Sequence, residues 1–219
     1  MLKREIFITN DGSVSVKIPE LNENYHSKHG AIQESQHIYI NNGLKYINKK
    51  NINIFEIGYG TGLNAILTFL ETLKQNIKIN YTSIEKYPLT LDEYNKLNYF
   101  KLLNIKDTTI INKFKKYWNT DIEISEKFNL KKIEEDFINF NFCKKYDLIF
   151  FDAFAPNIQP KLWTKNIFNK IHNNLNDNGI IVTYSVNGEV KRILKSLNFK
   201  IEQPDGPPGK RNMLRATKN

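Results

Sequence analysis

The sequence predicts an α/β chain built on a mostly parallel sheet, with helices on both faces and an antiparallel strand pair at the C-terminus. Three observations carry this expectation. Short apolar segments alternate with longer amphipathic ones, the pattern of strand–helix–strand units. The stretch Tyr146-Asp-Leu-Ile-Phe-Phe151 is apolar almost throughout, as a strand covered on both faces must be. Three glycines, Gly58, Gly60 and Gly62, fall where an apolar strand gives way to an apolar helix.

Taken in order, strands are expected over residues 51–57, 79–84, 128–133, 146–151 and 180–184, with 199–201 and 213–217 closing the sheet. Helical periodicity marks residues 63–70, 91–100, 109–118, 163–175 and 189–197. Asn176-Asp-Asn-Gly179 supplies turn chemistry before the strand at Ile180. The first 45 residues are less periodic and read as a short hairpin with a helix around 32–46. No repeat or Pro/Gly-rich linker divides the chain, so residues 1–219 are read as one domain, 1–45 an N-terminal extension and 46–219 the core.

With 219 residues, 40% hydrophobic and 25% charged, the chain holds enough apolar surface to exclude disorder as its default state. Cys143 is its single cysteine, so an internal disulfide is excluded, and a reducing compartment is expected. No cysteine–histidine cluster has zinc spacing, and no metal site is expected. The N-terminus lacks a secretory apolar region, and the longest strongly apolar run, 148–151, falls far short of the roughly 20 residues that span a bilayer. A soluble, cytoplasmic protein without a membrane partner is the expectation. Its 32 Lys+Arg against 23 Asp+Glu give a net charge of +9, which suits a polyanionic partner such as RNA; a general lysine bias explains part of the same excess.

The chemistry gathers at strand ends. Glu56 precedes Gly58, Gly60 and Gly62, and Asn64 follows, where glycines let a ligand approach the main chain and the helix N-terminus. The spacing is G-x-G-x-G, whereas a dinucleotide fingerprint needs G-x-G-x-x-G. Glu85, at the end of the next strand, is placed to accept hydrogen bonds from two ribose hydroxyls. Together these favour S-adenosylmethionine over a nicotinamide cofactor. Asp136 after the third strand reads either as a contact to an adenine amine, with Phe137 packed on the ring, or as a solvated acid. Asp152, closing the fourth, reads as the carboxylate that orients a nucleophilic amine and takes up the charge formed on methylation, or as a plain strand-end acid. Phe154 in the same loop either stacks a base or fills core. Lys210 and Arg211, in a glycine–proline loop, either bind phosphate or form a solvated basic turn. His26 and His29 lack the G-x-S-x-G elbow that would make a nearby serine a nucleophile.

Three motifs are specific enough to carry a resemblance: Phe55-Glu-Ile-Gly-Tyr-Gly-Thr-Gly-Leu-Asn64, Phe151-Asp-Ala-Phe-Ala-Pro156 with Leu162-Trp-Thr164, and Gly206-Pro-Pro-Gly-Lys-Arg-Asn-Met-Leu214. With Tyr25-His-Ser27, Gly30-Ala31 and Glu34-Ser35, they resemble the MnmC-type tRNA methyltransferase family over residues 9–217; residues 91–127 match none of its motifs. The resemblance implies a Rossmann-like class I S-adenosylmethionine-dependent methyltransferase fold. It implies methyl transfer to the aminomethyl nitrogen of 5-aminomethyl-2-thiouridine at the tRNA wobble position. It places Glu56, Gly58, Gly60, Gly62, Asn64, Glu85 and Asp136 around S-adenosylmethionine and Asp152 at the amine. Phe154, Pro156, Lys210 and Arg211 are expected on the substrate side, against the tRNA anticodon arm. The chain shows no second glycine fingerprint, so the methyltransferase is expected without the flavin-dependent half of the bifunctional relatives. Competing expectations are an N-methyl- or aminopropyltransferase acting on a free small amine, and a non-catalytic RNA-binding module.

Overall fold

The computed structural model describes residues 3–219. An eight-stranded sheet forms the centre, in the order β10-β11-β9-β8-β4-β5-β7-β6. Its strands are β4 (Asn51–Ile57), β5 (Lys78–Glu85), β6 (Thr120–Ser125), β7 (Phe128–Glu134), β8 (Tyr146–Phe151), β9 (Leu175–Thr183), β10 (Phe199–Glu202) and β11 (Leu214–Lys218). Pairings from β9 through β8, β4 and β5 to β7 are parallel; β11 runs antiparallel to both β9 and β10. The expected parallel sheet with its C-terminal antiparallel pair is therefore present.

Alternation along the strands divides the core. Leu148 and Phe150 of β8 face α2 (Leu63–Lys74) through Ile66 and Phe69, while Ile149 and Phe151 face α6 (Lys165–Asn173) and α7 (Gly188–Ser196) through Ile167, Phe168, Ile171, Val190 and Leu194. Residues 135–145 bring no helix. Phe137, Phe140 and Phe142 instead cover this face as an aromatic cluster around Phe55, with ring centroids 4.8–5.8 Å from it.

The N-terminal residues form a three-stranded antiparallel sheet, β1 (Glu5–Ile8), β2 (Val14–Ile18) and β3 (Glu23–Asn24), so the hairpin expectation gains a third strand. The helix expected over 32–46 is α1 (Ala31–Ser35), then a wide π-helical turn (Gln36–Asn41) and a short 3-10 turn (Leu44–Tyr46). The helix expected over 91–100 is also divided, into α3 (Leu91–Asn95) and α4 (Tyr99–Leu102). Asn98 sits at the break, and its amide accepts from Val14 N and donates to Gly12 O, bonds that compete with helical pairing and tie on the N-terminal sheet. After α5 (Thr108–Lys115), Tyr117 and Asn119 take left-handed conformations that end the expected 109–118 helix and turn the chain into β6.

β6 was not expected; it pairs antiparallel with the outer edge of β7. β9 starts five residues earlier than expected, at Leu175: its register against β8 jumps between Tyr146↔Leu175 and Leu148↔Ile180, so the turn-like Asn176–Gly179 stretch is a bulge. Among the described residues, no helix is long and apolar enough to cross a membrane.

Candidate active site

The chain leaves β4 for β5 and β7 on one side, then returns to β8 on the other. Ligand crevices of open α/β sheets lie at such a reversal, outside the C-terminal strand ends. Here a cavity of about 1150 Å³ opens there, floored by Gly58–Thr61, Leu63, Glu85, Asp136 and Asp152 and walled by Glu20, Leu21 and residues 23–27 of the N-terminal segment.

The glycine loop is fixed by contacts that admit no side chain. Gly58 has φ +93°, and a Cβ there would stand 2.6 Å from the carbonyl oxygen of Asp152. The ends of β4 and β8 thus touch through a glycine, and Asp152 N donates to Ile57 O at 2.9 Å. Gly62, at φ +75°, caps α2 against the hydroxyls of Tyr59 and Tyr94.

Glu85 lies where expected: Oε2 accepts from Gly60 N at 3.0 Å and Oε1 from Tyr87 N at 2.9 Å, tying the glycine loop to the second strand end. Asp136 lines the cavity with its carboxylate held by Lys86 Nζ at 2.9 Å and Ile138 N at 3.0 Å. Those bonds keep its ionisation below the ordinary aspartate range against an opposing desolvation. Phe137 borders the cavity, but its ring packs into the Phe55 cluster.

Asp152 is held on both carboxylate oxygens. Tyr39 Oη donates to Oδ1 at 2.6 Å, and Asn64 Nδ2 donates to Oδ2 at 2.9 Å. Enclosure by protein pushes its pKa up to about 6, against the lowering effect of those two bonds. At neutral pH it is a carboxylate, oriented on both oxygens and open to the cavity.

Glu56 lies behind the cavity wall rather than on it. It is fully buried, bonded to Asn64 Nδ2 at 2.9 Å and to Ser83 Oγ at 2.7 Å. Burial raises its pKa to about 8, so at neutral pH it is largely the neutral acid. Asn64 therefore bridges the two acids. Its Oδ1 is buried on the cavity wall without a hydrogen-bond partner. An orphan acceptor of this kind costs about 1–3 kcal/mol unless a ligand donor meets it. The amino group of S-adenosylmethionine is such a donor, and Glu85 and Asp136 line the same cavity beyond two further strand ends. The residues present fit that cofactor.

On the acceptor side, Phe154 meets Tyr25 edge-on at 5.3 Å, and Trp163 Nε1 donates to Phe154 O at 2.8 Å, so the loop after β8 is braced. Lys210 lines the cavity, paired with Glu34 at 2.7 Å and 4.2 Å from the Tyr184 ring centre; it is no solvated turn. Arg211 is exposed, and neither it, Pro156 nor Gly62 is among the cavity-lining residues. His26 is buried with Nδ1 3.0 Å from Ser15 Oγ, and burial pushes it down to about 4, which leaves it neutral at pH 7. Sequence reasoning passed over Tyr39 and Tyr184, which lie in no motif.

A model of an S-adenosyl-L-methionine-dependent methyltransferase family matches residues 100–219. The tRNA 5-methylaminomethyl-2-thiouridine biosynthesis bifunctional protein MnmC of Leptospira interrogans is 29% identical over 212 residues, covering 87% of this chain and 32% of that protein. The MnmC of Burkholderia multivorans is 24% identical, over 90% of this chain and 32% of its own. The chain thus spans about a third of the length of these relatives. The crystal structure of MNMC2 from Aquifex aeolicus superposes with a TM-score of 0.76 at 26% identity, covering 100% of this chain and 71% of that one. The pyocyanin biosynthetic protein PhzM, at 10% identity and a TM-score of 0.52 over 88% of this chain and 56% of its own, shares the fold alone. The chain belongs to the S-adenosyl-L-methionine-dependent methyltransferases of class I fold, in the MnmC-related family.

Proposed function

We propose that this chain methylates the aminomethyl nitrogen of 5-aminomethyl-2-thiouridine at the wobble position of tRNA. The observation that carries the reading is Asp152: a carboxylate held on both oxygens, beside the glycine loop, on the floor of a cavity large enough for a cofactor and a second ligand. The MnmC names of the relatives and the net charge of +9 support RNA as the bearer of the amine. Cytoplasmic residence accords with the same reading.

S-adenosylmethionine supplies a methyl group already activated on a sulfonium. The protein's part is positioning: an amine lone pair must be held in line at roughly 3–3.5 Å. A primary alkylamine enters largely as ammonium, which has no lone pair, so a proton must leave first. Asp152, ionised at neutral pH, draws the amine in, fixes its direction and balances the charge that forms on nitrogen. Lys210, on the same cavity, is paired with Glu34, so the two charges offset each other beside the amine. Phe154 offers a face to the extruded base, and lysines at the rim, Lys86 and Lys161, meet the RNA backbone.

The test compares Asp152→Ala with the wild type. Binding of S-adenosylmethionine should persist in the variant while transfer to tRNA is lost; an unchanged turnover would remove Asp152 from its role. Methylation of a free small amine such as a polyamine, without RNA, would move the assignment to a small-molecule enzyme.

A further inference from the structure

Tyr39 stands 113 residues before Asp152 and touches it. It sits in the π-helical turn Gln36–Asn41, whose closing amide, Asn42 N, reaches back five residues to His37 O at 3.2 Å. Turns of this kind are rare and frequently occur at functional sites, because one inserted residue re-aims a side chain. This one is pinned: His37 Nε2 donates to Asp205 O at 2.8 Å, Asn42 Nδ2 donates to His37 O at 2.9 Å, and Gln36 Nε2 to Asn41 Oδ1 at 3.2 Å. Three successive residues, Ile38, Tyr39 and Ile40, are buried by it. The Tyr39 ring lies 5.1 Å from that of Phe150, two residues before Asp152, so ring and hydroxyl brace the same strand end.

A buried or half-buried tyrosine can satisfy its hydroxyl on any main-chain carbonyl. Tyr59, Tyr99 and Tyr184 do so, on Phe114 O, Val14 O and Ala153 O. Tyr39 donates to a carboxylate instead, the stronger and more directional bond.

We propose that Tyr39 is the positioning residue of Asp152: delivered by the π-helical turn, its hydroxyl fixes Oδ1 so that the free lone pairs of the carboxylate face the acceptor amine. The inference rests on Asp152 as the amine-holding group. Glu34 of α1, Glu56 of β4, Tyr81 of β5, Tyr184 after β9 and Lys210 of the C-terminal loop also act on Asp152 through their charges or ionisation. Among the described residues, only Tyr39 and the neutral Asn64 donate to it directly. Without the Tyr39 donor the ionised form loses a charge-assisted bond, and the acid limb of methyl transfer moves up by about one pH unit. At pH 6 the ionised fraction then falls from about a half to about a tenth, a roughly fivefold loss before any misalignment is counted.

The variant is Tyr39→Phe, which keeps the ring against Phe150. Calorimetry should show S-adenosylmethionine affinity within about twofold of wild type, and kcat at pH 6 should fall at least fivefold with the acid limb displaced upward. Carbon-13 NMR titration of the Asp152 carboxyl in the substrate-free protein should show the same displacement. In an Asp152→Asn background, adding Tyr39→Phe should cost nothing more. An unmoved limb and titration, or a loss that adds fully to that of Asp152→Asn, would overturn the inference. If Tyr39→Phe folds poorly, 3-fluorotyrosine at position 39, a stronger donor, should move the titration to lower pH, and an upward or absent shift overturns it. Failure of the wild type to methylate tRNA would instead refute the functional reading, while the carboxyl titration would still decide the role of Tyr39.

Discussion

Replacing Gly58 with alanine tests the idea that the ends of β4 and β8 are locked together through a glycine. The added Cβ would stand 2.6 Å from Asp152 O, where apolar carbon needs about 3.5 Å, so the strand ends must part by about 1 Å. The left-handed φ of +93° adds about 1–2 kcal/mol for a residue with a side chain. Lengthening of the 2.9 Å bond from Asp152 N to Ile57 O adds about 1 kcal/mol more. The total, about 2–3 kcal/mol, corresponds to a drop in Tm of roughly 4–12 °C for a chain of this size. Since Asp152 moves with the strand end, transfer measured well below the melting point should fall up to about 100-fold. Differential scanning calorimetry and a labelled-methyl assay on the same preparation give both numbers. A Gly58→Ala protein with wild-type Tm and wild-type rate would refute the argument that this contact positions the site.

Two buried groups should give the stability–pH curve opposite slopes. Glu56, ordinarily near 4.5 and raised by burial to about 8, contributes stability that is complete below pH 4.5 and lost as pH rises through 8. Glu56→Gln should abolish that loss, leaving the variant on the order of 2–4 kcal/mol more stable relative to wild type at pH 9 than at pH 4 by urea denaturation. Lys132, fully buried with Nζ on Phe114 O at 2.6 Å and over the Trp118 ring, is lowered by burial from 10.5 to about 7. Its penalty is therefore complete below pH 7 and is relieved between 7 and 10.5; Lys132→Met should remove that alkaline rise, and a rise that persists assigns it elsewhere. Phe154→Ala should raise the KM for tRNA several-fold with S-adenosylmethionine binding unchanged, and an unaltered KM would deny Phe154 a place against the base. Binding of tRNA should weaken steeply between about 50 and 200 mM salt, and salt-insensitive binding would exclude phosphate contacts as its main source.

What the sequence discloses here is the part written in local pattern. β8 is legible because six buried residues in a row cannot alternate, and the glycine loop because a strand and a helix meet at residues without side chains. Glu85, Asp136 and Asp152 are legible because strand ends border the crevice of such a sheet. β6 is written in the sequence as the alternation Asp121-Ile-Glu-Ile-Ser125, with Ile122 and Ile124 inward, but short polar strands are easily overlooked beside a helix pattern. The break at Asn98 and the π-helical turn at Tyr39 are not local at all. Each depends on a partner some eighty or more residues away, Val14 in one case and Asp152 in the other, which no window of sequence contains. Glu56 shows the same limit: its place in the motif suggests a ligand contact, while its burial beneath Asn64 makes it a brace for the residue that faces the cavity.

The central claim is a methyl transferred to a wobble-base amine, and nucleoside mass spectrometry tests it directly. Purified protein is incubated with labelled S-adenosylmethionine and tRNA from a strain that lacks this methylation, and the digested nucleosides are weighed. The account predicts loss of 5-aminomethyl-2-thiouridine and appearance of its methylaminomethyl form carrying the label, abolished in Asp152→Ala. Intact 5-aminomethyl-2-thiouridine after incubation with protein that binds S-adenosylmethionine would contradict it.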